Sequence, residues 1–387
     1  MYWVIKYFCI CFIGNLLKII FSFFPIRKKT IIFISFSGTK VSCNPYYIYK
    51  YIISNNKDFE CFWVLNKNIE TDSVPMGQIL KSHGYEYYKL MFTAGFIITN
   101  DRLPSFFNFR KGQTLINTWH GGGAFKRTFG YPNGITKWYS SKTTMMDSNR
   151  TSFFLSSSQM WSEVIARTSF MYKGAILESG FPRNDLFFSP QDELVRFTKN
   201  KLSINEKCDV ILYAPTYRNH LKGNALGKAM LEPIDVIGIK KEWASKYGRE
   251  CVVLFRGHHT MKQSIAFNDT IDVSNYPNMQ ELLLIADSMI SDYSSCMWDY
   301  ALTSKPCFIY APDFDDYLKE PGFESDYLQW PFVICKNNKE LLSAFHNFNH
   351  YDYEKAVEDY LNSYGSFERG RASQIVYNKI MEISNLS

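Results

Sequence analysis

This chain of 387 residues lacks most of the signatures that assign a chemistry at once. No G-x-G-x-x-G follows its first apolar strand, and no glycine-rich loop ends in Lys-Ser or Lys-Thr. Nicotinamide chemistry and P-loop hydrolysis of ATP are thereby disfavoured. Nine cysteines are present (Cys9, Cys11, Cys43, Cys61, Cys208, Cys251, Cys296, Cys307 and Cys335), but they are odd in number and scattered, with no C-x-x-C and no Cys/His pairing at zinc-ligand spacing. They read as reduced, mostly buried thiols in a cytosolic setting. No carboxylate cluster stands at metal-ligand spacing. Dense Lys/Arg arrays interleaved with aromatics are missing too. The formal net charge of +6 suits an anionic small substrate or a membrane surface better than a nucleic acid. No fixed short repeat is visible, which argues against a solenoid or propeller. With 46% hydrophobic and 21% charged residues, nothing points to disorder.

What is present begins with an apolar run, "YWVIKYFCICFIGNLLKIIFSFFPI" (Tyr2 to Ile26), carrying only Lys6 and Lys18 as charges and followed by Arg27, Lys28 and Lys29. It lacks the short basic start and small-residue cleavage site of a secretory signal. Three placements fit it: an interfacial membrane anchor, a true span, or a helix packed on the protein. The two lysines and Asn15 favour the first, because each is costly in hydrocarbon. The segment 1–28 is expected to associate with the cytoplasmic face of a membrane and to be removable without unfolding the rest.

From Lys29 onward, apolar β-rich runs alternate with helical stretches. Thr30–Ser37, Cys61–Asn66, Gly95–Asp101, Thr114–His120 and Ala175–Gly180 read as strands, and "YYIYKYI" as a helix. A polar stretch, Ser189–Lys207, interrupts the pattern. It restarts with Asp209–Thr216, Cys251–His259, Asp287–Ser295 and Lys305–Asp313, separated by helical candidates Pro233–Gly248 and Asn278–Ala286. Near-continuous apolar strands joined by helices imply parallel sheets covered on both faces. The expected architecture is α/β, two Rossmann-like doubly wound domains at 29–200 and 201–387, with the terminal helix packing back on the first. In such sheets ligands bind beyond the carboxyl ends of the strands.

Chemistry-bearing residues stand at those ends. Ser294 and Ser295 precede a helix, where a serine serves as an ordinary N-cap or as part of an anion site. "LFRGHH" supplies Arg256, His258 and His259, and "YAPTYR" supplies Thr216 and Arg218; a phosphate fits all of these, as does a plain surface loop. In "TLINTWHGGGAFKR", His120 opens onto Gly121, Gly122 and Gly123, which let a backbone approach closely. It reads either as a general base near neutrality or as a histidine packed beside Trp119.

Taken in order, "NTWHGGGAFKR" with Lys126, "GFPRND" (Gly180 to Asp185), "ILYAPTYR", "RGHH", "ISDYSSCMWDYAL" with "KPCFIYAPDFDDY", and "GRAS" (Gly370 to Ser373) resemble the CDP-glycerol glycerophosphotransferase family of teichoic-acid primases and polymerases. The resemblance runs from about Thr30 to the end. It implies a GT-B-type fold whose two domains face across a cleft, the donor nucleotide held by the C-terminal half and the acceptor by the N-terminal half, with no metal or other cofactor, consistent with the missing carboxylate cluster. It further implies that His120 takes the proton of an acceptor hydroxyl and that His258, Ser294 and Ser295 meet the donor diphosphate. Arg218 and Arg256 are implied as supporting cations, Asp299 as a polar contact, and Gly121, Gly122, Gly123 and Lys126 as the acceptor loop. CDP-glycerol would be the donor, CDP-ribitol a close variant, and a polyprenyl-linked saccharide at the cytoplasmic face of a bacterial membrane the acceptor. Two departures stand out: Gly122 and Gly123 replace the family's Thr-Pro, and His259 replaces a proline. The competing readings are a GT-B glycosyltransferase for nucleotide sugars, for which Glu324 would grip the ribose, and a non-catalytic membrane-bound scaffold.

Overall fold

The computed structural model describes residues 2–69, 71, 73–122, 134–216, 233–257, 268–319, 322–323 and 325–386. The chain divides into two compact units, one made of Met1–His120, Thr128–Phe188 and Gly365–Ser387, the other built around Ser189–Tyr364. Each unit rests on one parallel sheet.

In the first, β1 (Arg27–Ile34), β2 (Glu60–Leu65), β3 (Ile79–Lys81), β4 (Ala94–Thr99), β5 (Thr114–Asn117), β6 (Phe153–Ser156) and β7 (Ala175–Glu178) lie in the order β3-β2-β1-β4-β5-β6-β7. The central pair has Ile31, Ile32 and Phe33 in register with Phe96, Ile97 and Ile98, and every one of these is at most 2% exposed. Each buried side chain of this kind stabilises the fold by about 1.5–3 kcal/mol, which is why apolar runs without polar alternation form the middle of the sheet. In the second unit, β8 (Asp209–Ala214), β9 (Cys251–Phe255), β10 (Thr270–Asp272), β11 (Ser288–Ser291), β12 (Cys307–Tyr310) and β13 (Val333–Cys335) lie in the order β10-β9-β8-β11-β12-β13. Both orders reverse direction once, between β1 and β4 and between β8 and β11, which are the switch points where ligands of such sheets bind.

Several strands stop earlier than the apolar runs suggest, each for a local reason. β1 ends at Ile34 because Phe36, Ser37 and Gly38 turn through positive φ (45°, 54° and 81°), which brings the Gly38 carbonyl to the Asn66 N–H. β5 ends at Asn117 because the Thr118 N–H bonds the Thr99 carbonyl and Trp119 then adopts φ 50°. β11 ends at Ser291 because the Asp292 carboxylate accepts the N–H groups of Thr216 and Tyr293.

The helix Asp192–Lys201 packs against the helix Met279–Ile285 and goes with the second unit, whose long segment runs from Ser189 to Tyr364. From Gly365 onward the chain belongs to the first unit. Its last helix, Ala372–Leu386, is started by Asp185, whose carboxylate accepts the N–H groups of Ala372 and Ser373 at 2.8 Å each.

The N-terminal helix, Tyr2–Phe21, is not a detachable arm. Phe21 is 4% exposed and stacks on Phe92, Gly14 presses against the Phe106 backbone, and Trp3 packs on Tyr139. Arg110 donates to the carbonyls of Phe21 and Phe24 at 2.9 and 2.7 Å. Because β1 starts at Arg27, removal of 1–28 would cut into the sheet and uncover the core, which corrects the expectation of a removable segment.

Candidate functional site

The carboxyl edge of the first sheet is organised around His120. Its Nδ1 lies 2.7 Å from the Asn100 carbonyl, just past the end of β4. A carbonyl only accepts, so Nδ1 carries the proton, and in the neutral ring the lone pair is on Nε2. The imidazole stacks on Trp119 at 4.5 Å and meets the Phe36 ring at 5.4 Å. Phe36 and Trp119 both hold left-handed backbone angles, a cost of about 1–3 kcal/mol each that the surrounding contacts must offset.

Those contacts are polar and come from distant segments. The Asn44 amide, at the start of the helix Cys43–Asn55, donates to the carbonyls of Thr118 and Trp119 at 3.3 and 3.1 Å. Arg183, 4% exposed, donates to the His120 carbonyl at 2.7 Å, while its own N–H is accepted by the Asn44 side chain at 3.1 Å. The loop that carries the imidazole is thus fixed from both sides. Asn44, Asn100 and Arg183 were not singled out as site residues, although "SCNP", "GFIITND" and "GFPRND" are the polar ends of recognisable runs.

The same Gly180–Asp185 stretch interlocks with the "GRAS" region. Glu368 accepts the Phe181 N–H and the Asn184 amide, and Asp185 caps the last helix. Burial raises the Asp185 carboxyl above its ordinary value, against the opposing pull of the Ser373 and Ala372 bonds. These two motifs build scaffold for the His120 loop. Gly121 and Gly122 follow His120, with Gly122 buried; Gly123 and Lys126 lie outside the described residues.

In the second unit the expected donor-binding groups divide. Arg256 stands at the end of β9, half-buried, with one guanidinium N–H on the Tyr276 carbonyl at 2.9 Å. Desolvation lowers its pKa, opposed by nearby Cys296 and Tyr276, and among the described residues it forms no ion pair with a carboxylate. Ser294 and Ser295 are half-exposed, and the Ser294 hydroxyl lies 2.9 Å from the Sγ of Cys296, the thiol that acts on Arg256. Burial pushes the Cys296 thiol up to about 12, so it stays neutral near pH 7. Ser295 occupies the N-cap position of the short helix Cys296–Ala301, yet its hydroxyl makes no cap bond, which corrects the reading of a plain serine cap.

Asp299 is not an open polar group: it is 2% exposed and accepts from the Gln280 amide at 3.0 Å. The buried carboxylate at the switch point is instead Asp292, which takes the Thr216 N–H at 2.9 Å and so ties the end of β8 to the end of β11. It was legible only as part of "ISDYSS". Arg218, His258, His259 and Glu324 lie outside the described residues.

Comparison with known proteins agrees with this layout. Residues 16–382 match the profile of the CDP-glycerol:poly(glycerophosphate) glycerophosphotransferase family. The chain is 30% identical over 373 residues to a teichoic acid poly(glycerol phosphate) polymerase of Staphylococcus epidermidis, with 91% of this chain and 50% of that protein covered. It is 28% identical over 374 residues to a protein of the same name from Bacillus spizizenii, covering 92% of this chain and 93% of the relative. The chain thus spans about half the length of the first relative and nearly all of the second. A solved structure of the wall teichoic acid polymerase TagF superposes with a TM-score of 0.82 at 29% identity, covering 97% of this chain and 93% of that one. The two sheets are accordingly those of the GT-B type.

Proposed function

The chain belongs to the CDP-glycerol:poly(glycerophosphate) glycerophosphotransferase family, and from that premise we propose that it moves glycerol phosphate from CDP-glycerol to a hydroxyl of a lipid-linked teichoic-acid-like or capsular acceptor. In this reading Nε2 of His120 takes the proton of the acceptor hydroxyl. The oxygen attacks the phosphorus bearing glycerol, the bond from that phosphorus to the bridging oxygen breaks, and CMP leaves with the electron pair. A phosphodiester remains on the acceptor. Positioning and charge neutralisation supply most of the rate, as is general for phosphoryl transfer.

The observation that carries the reading is the Asn100 carbonyl on Nδ1, which sets the basic nitrogen of His120 as Nε2. Arg256 supports the donor side, since a desolvated cation with no carboxylate beside it among the described residues favours an anion such as the diphosphate. Ser294 and Ser295 add hydroxyl donors at the same corner. His258 and Arg218 enter through the family resemblance as further diphosphate contacts, and Lys126 with Gly121, Gly122 and Gly123 as the acceptor loop.

The N-terminal helix supports a membrane-surface location for this transfer in the same reading. Tyr2, Ile5, Phe8, Phe12, Leu16, Ile19 and Phe23, each 45% or more exposed, recur every three or four residues along one face. Both lysines are engaged with the protein side: Lys6 lies over the Trp3 and Tyr139 rings, and Lys18 reaches Asn108. A helix docked along its length with an apolar outer face suits lying in the interface, on the cytoplasmic side where such acceptors are made.

The test is a donor panel. Purified protein with CDP-glycerol, CDP-ribitol or UDP-sugars, in the presence of a lipid-linked acceptor, is expected to release CMP from CDP-glycerol. UDP release without CMP would contradict the assignment.

A further inference from the structure

We infer that the cavity at the outer carboxyl edge of the first sheet, which holds about 480 Å³, is the subsite for the saccharide phosphate portion of the acceptor. The inference rests on the glycerophosphotransferase reading and adds to it where the acceptor lies relative to His120. The volume falls within the range of about 300–1,000 Å³ usual for small-ligand sites.

Its walls are the ends of β1 and β2 and the residues that follow β3 and β4, so it occupies the ligand-binding edge of a doubly wound sheet. It adjoins the His120 site through two strands. Ser37 in its wall follows Phe36, whose ring touches His120, and Arg102 in its wall is two residues from Asn100, whose carbonyl holds the imidazole. Ser37 and Asp101 close the gap between these strands with a 2.8 Å hydrogen bond. On its far side the cavity is bounded by Tyr139, from the helix Gly134–Arg150, and Tyr139 packs against Trp3 of the N-terminal helix at 4.7 Å. The cavity therefore bridges the apolar helix and the base, where a lipid-linked acceptor must place its sugars if its tail is in the membrane and its hydroxyl is at His120.

The lining chemistry matches such a ligand. Tyr139 offers ring surface for the C–H face of a sugar, and Ser37 and Asn66 offer hydroxyl-matching polar groups. Arg102 and His83 bring nitrogen donors suited to a phosphate. Arg102 is fixed by Asp147, which also binds Arg150. Phe36, Ser37 and His83, all along this edge, carry positive φ values (45°, 54° and 67°), the kind of local strain that collects where a surface is shaped for binding.

Two variants test the subsite. His83→Gly removes the imidazole and suits the left-handed backbone, while Ser105→Trp fills the cavity from its wall. The probe is a decyl diphosphate-linked disaccharide ending in one glycerol phosphate, assayed with CDP-glycerol by CMP release, with thermal melting to confirm folding. Both variants are expected to raise the acceptor KM by about tenfold or more and leave the CDP-glycerol KM within about twofold. Wild-type turnover with the acceptor KM unchanged in both variants overturns the subsite alone. Absence of wild-type turnover with this probe overturns the transferase reading and the subsite with it.

Discussion

The tautomer of His120 is decided by one carbonyl and its position by two side chains far away in sequence. Asn44 accepts the Arg183 N–H and donates to Thr118 and Trp119, so it couples three segments at the loop that carries the imidazole. Asn44→Ala takes the amide donor from the Thr118 and Trp119 carbonyls and the acceptor from the Arg183 N–H; the Trp119 carbonyl keeps the Thr118 hydroxyl, and each buried group left open costs about 1–3 kcal/mol before relaxation. The expected outcome is a lower melting temperature and a kcat reduced by about tenfold, with the CDP-glycerol KM little changed. A steady-state comparison with wild type checks the split. His120 itself was legible because a histidine followed by glycines at a strand end is an unusual use of sequence. Its supports were not, because nothing local marks Asn44, Asn100 or Arg183 as neighbours; the crossover connections of the sheet bring them together. Asp299 shows the opposite failure. Sequence placed it beside the serines, but the first turn of its helix points it at Gln280.

At the scale of elements, the long apolar strands were readable and the short ones were not. Ile31 to Ile34 and Val210 to Leu212 fill both faces of their sheets, so the runs are uninterrupted. β3, β10 and β13 have three residues each, and β6 sits in a run too short to separate from a helix by pattern. The N-terminal helix was legible as apolar, but its docking was only one of three placements the sequence allowed. Gly14→Val would drive a side chain into the Phe106 carbonyl and is expected to lower the melting temperature markedly. By contrast, Phe8→Gln, Phe12→Gln and Phe23→Gln together alter only the exposed face. That triple variant is expected to keep its melting temperature and lose sedimentation with phosphatidylglycerol–phosphatidylethanolamine vesicles. Undiminished sedimentation would count against an interfacial helix.

The cap on the last helix gives a pH prediction at the same scale. The folded Asp185 pKa is raised by burial, so folding favours its protonated form. That contribution is complete below the ordinary carboxylate value and is lost as pH rises through the raised value. Asp185→Asn keeps an acceptor oxygen for one of the Ala372 and Ser373 N–H groups but sets its amide nitrogen against the other, and is expected to flatten this part of the stability curve at some cost in stability. Asp185→Ala removes the cap and is expected to cost about 1 kcal/mol. Urea titrations at several pH values distinguish the two.

Over the whole molecule, the two sheets repeat one strand order, and in each the groups of chemical interest gather at the reversal point. His120, Asn100 and the sugar-sized cavity stand at one carboxyl edge; Arg256, Ser294, Ser295 and Asp292 stand at the other. This duplication was visible in the sequence as a pattern that stops near Ser189 and restarts at Asp209. The return of the chain from Gly365 to the first unit was expected only through the terminal helix, and its fastening by Glu368 and Asp185 had no local signal.

The division of labour between a proton-accepting unit and an anion-binding unit is the central claim, and the turnover of His120→Ala tests it most directly. With CDP-glycerol and a lipid-linked acceptor, CMP release is expected to fall by about 100- to 10,000-fold while the CDP-glycerol dissociation constant stays within about twofold. Near-normal turnover by folded His120→Ala would contradict it.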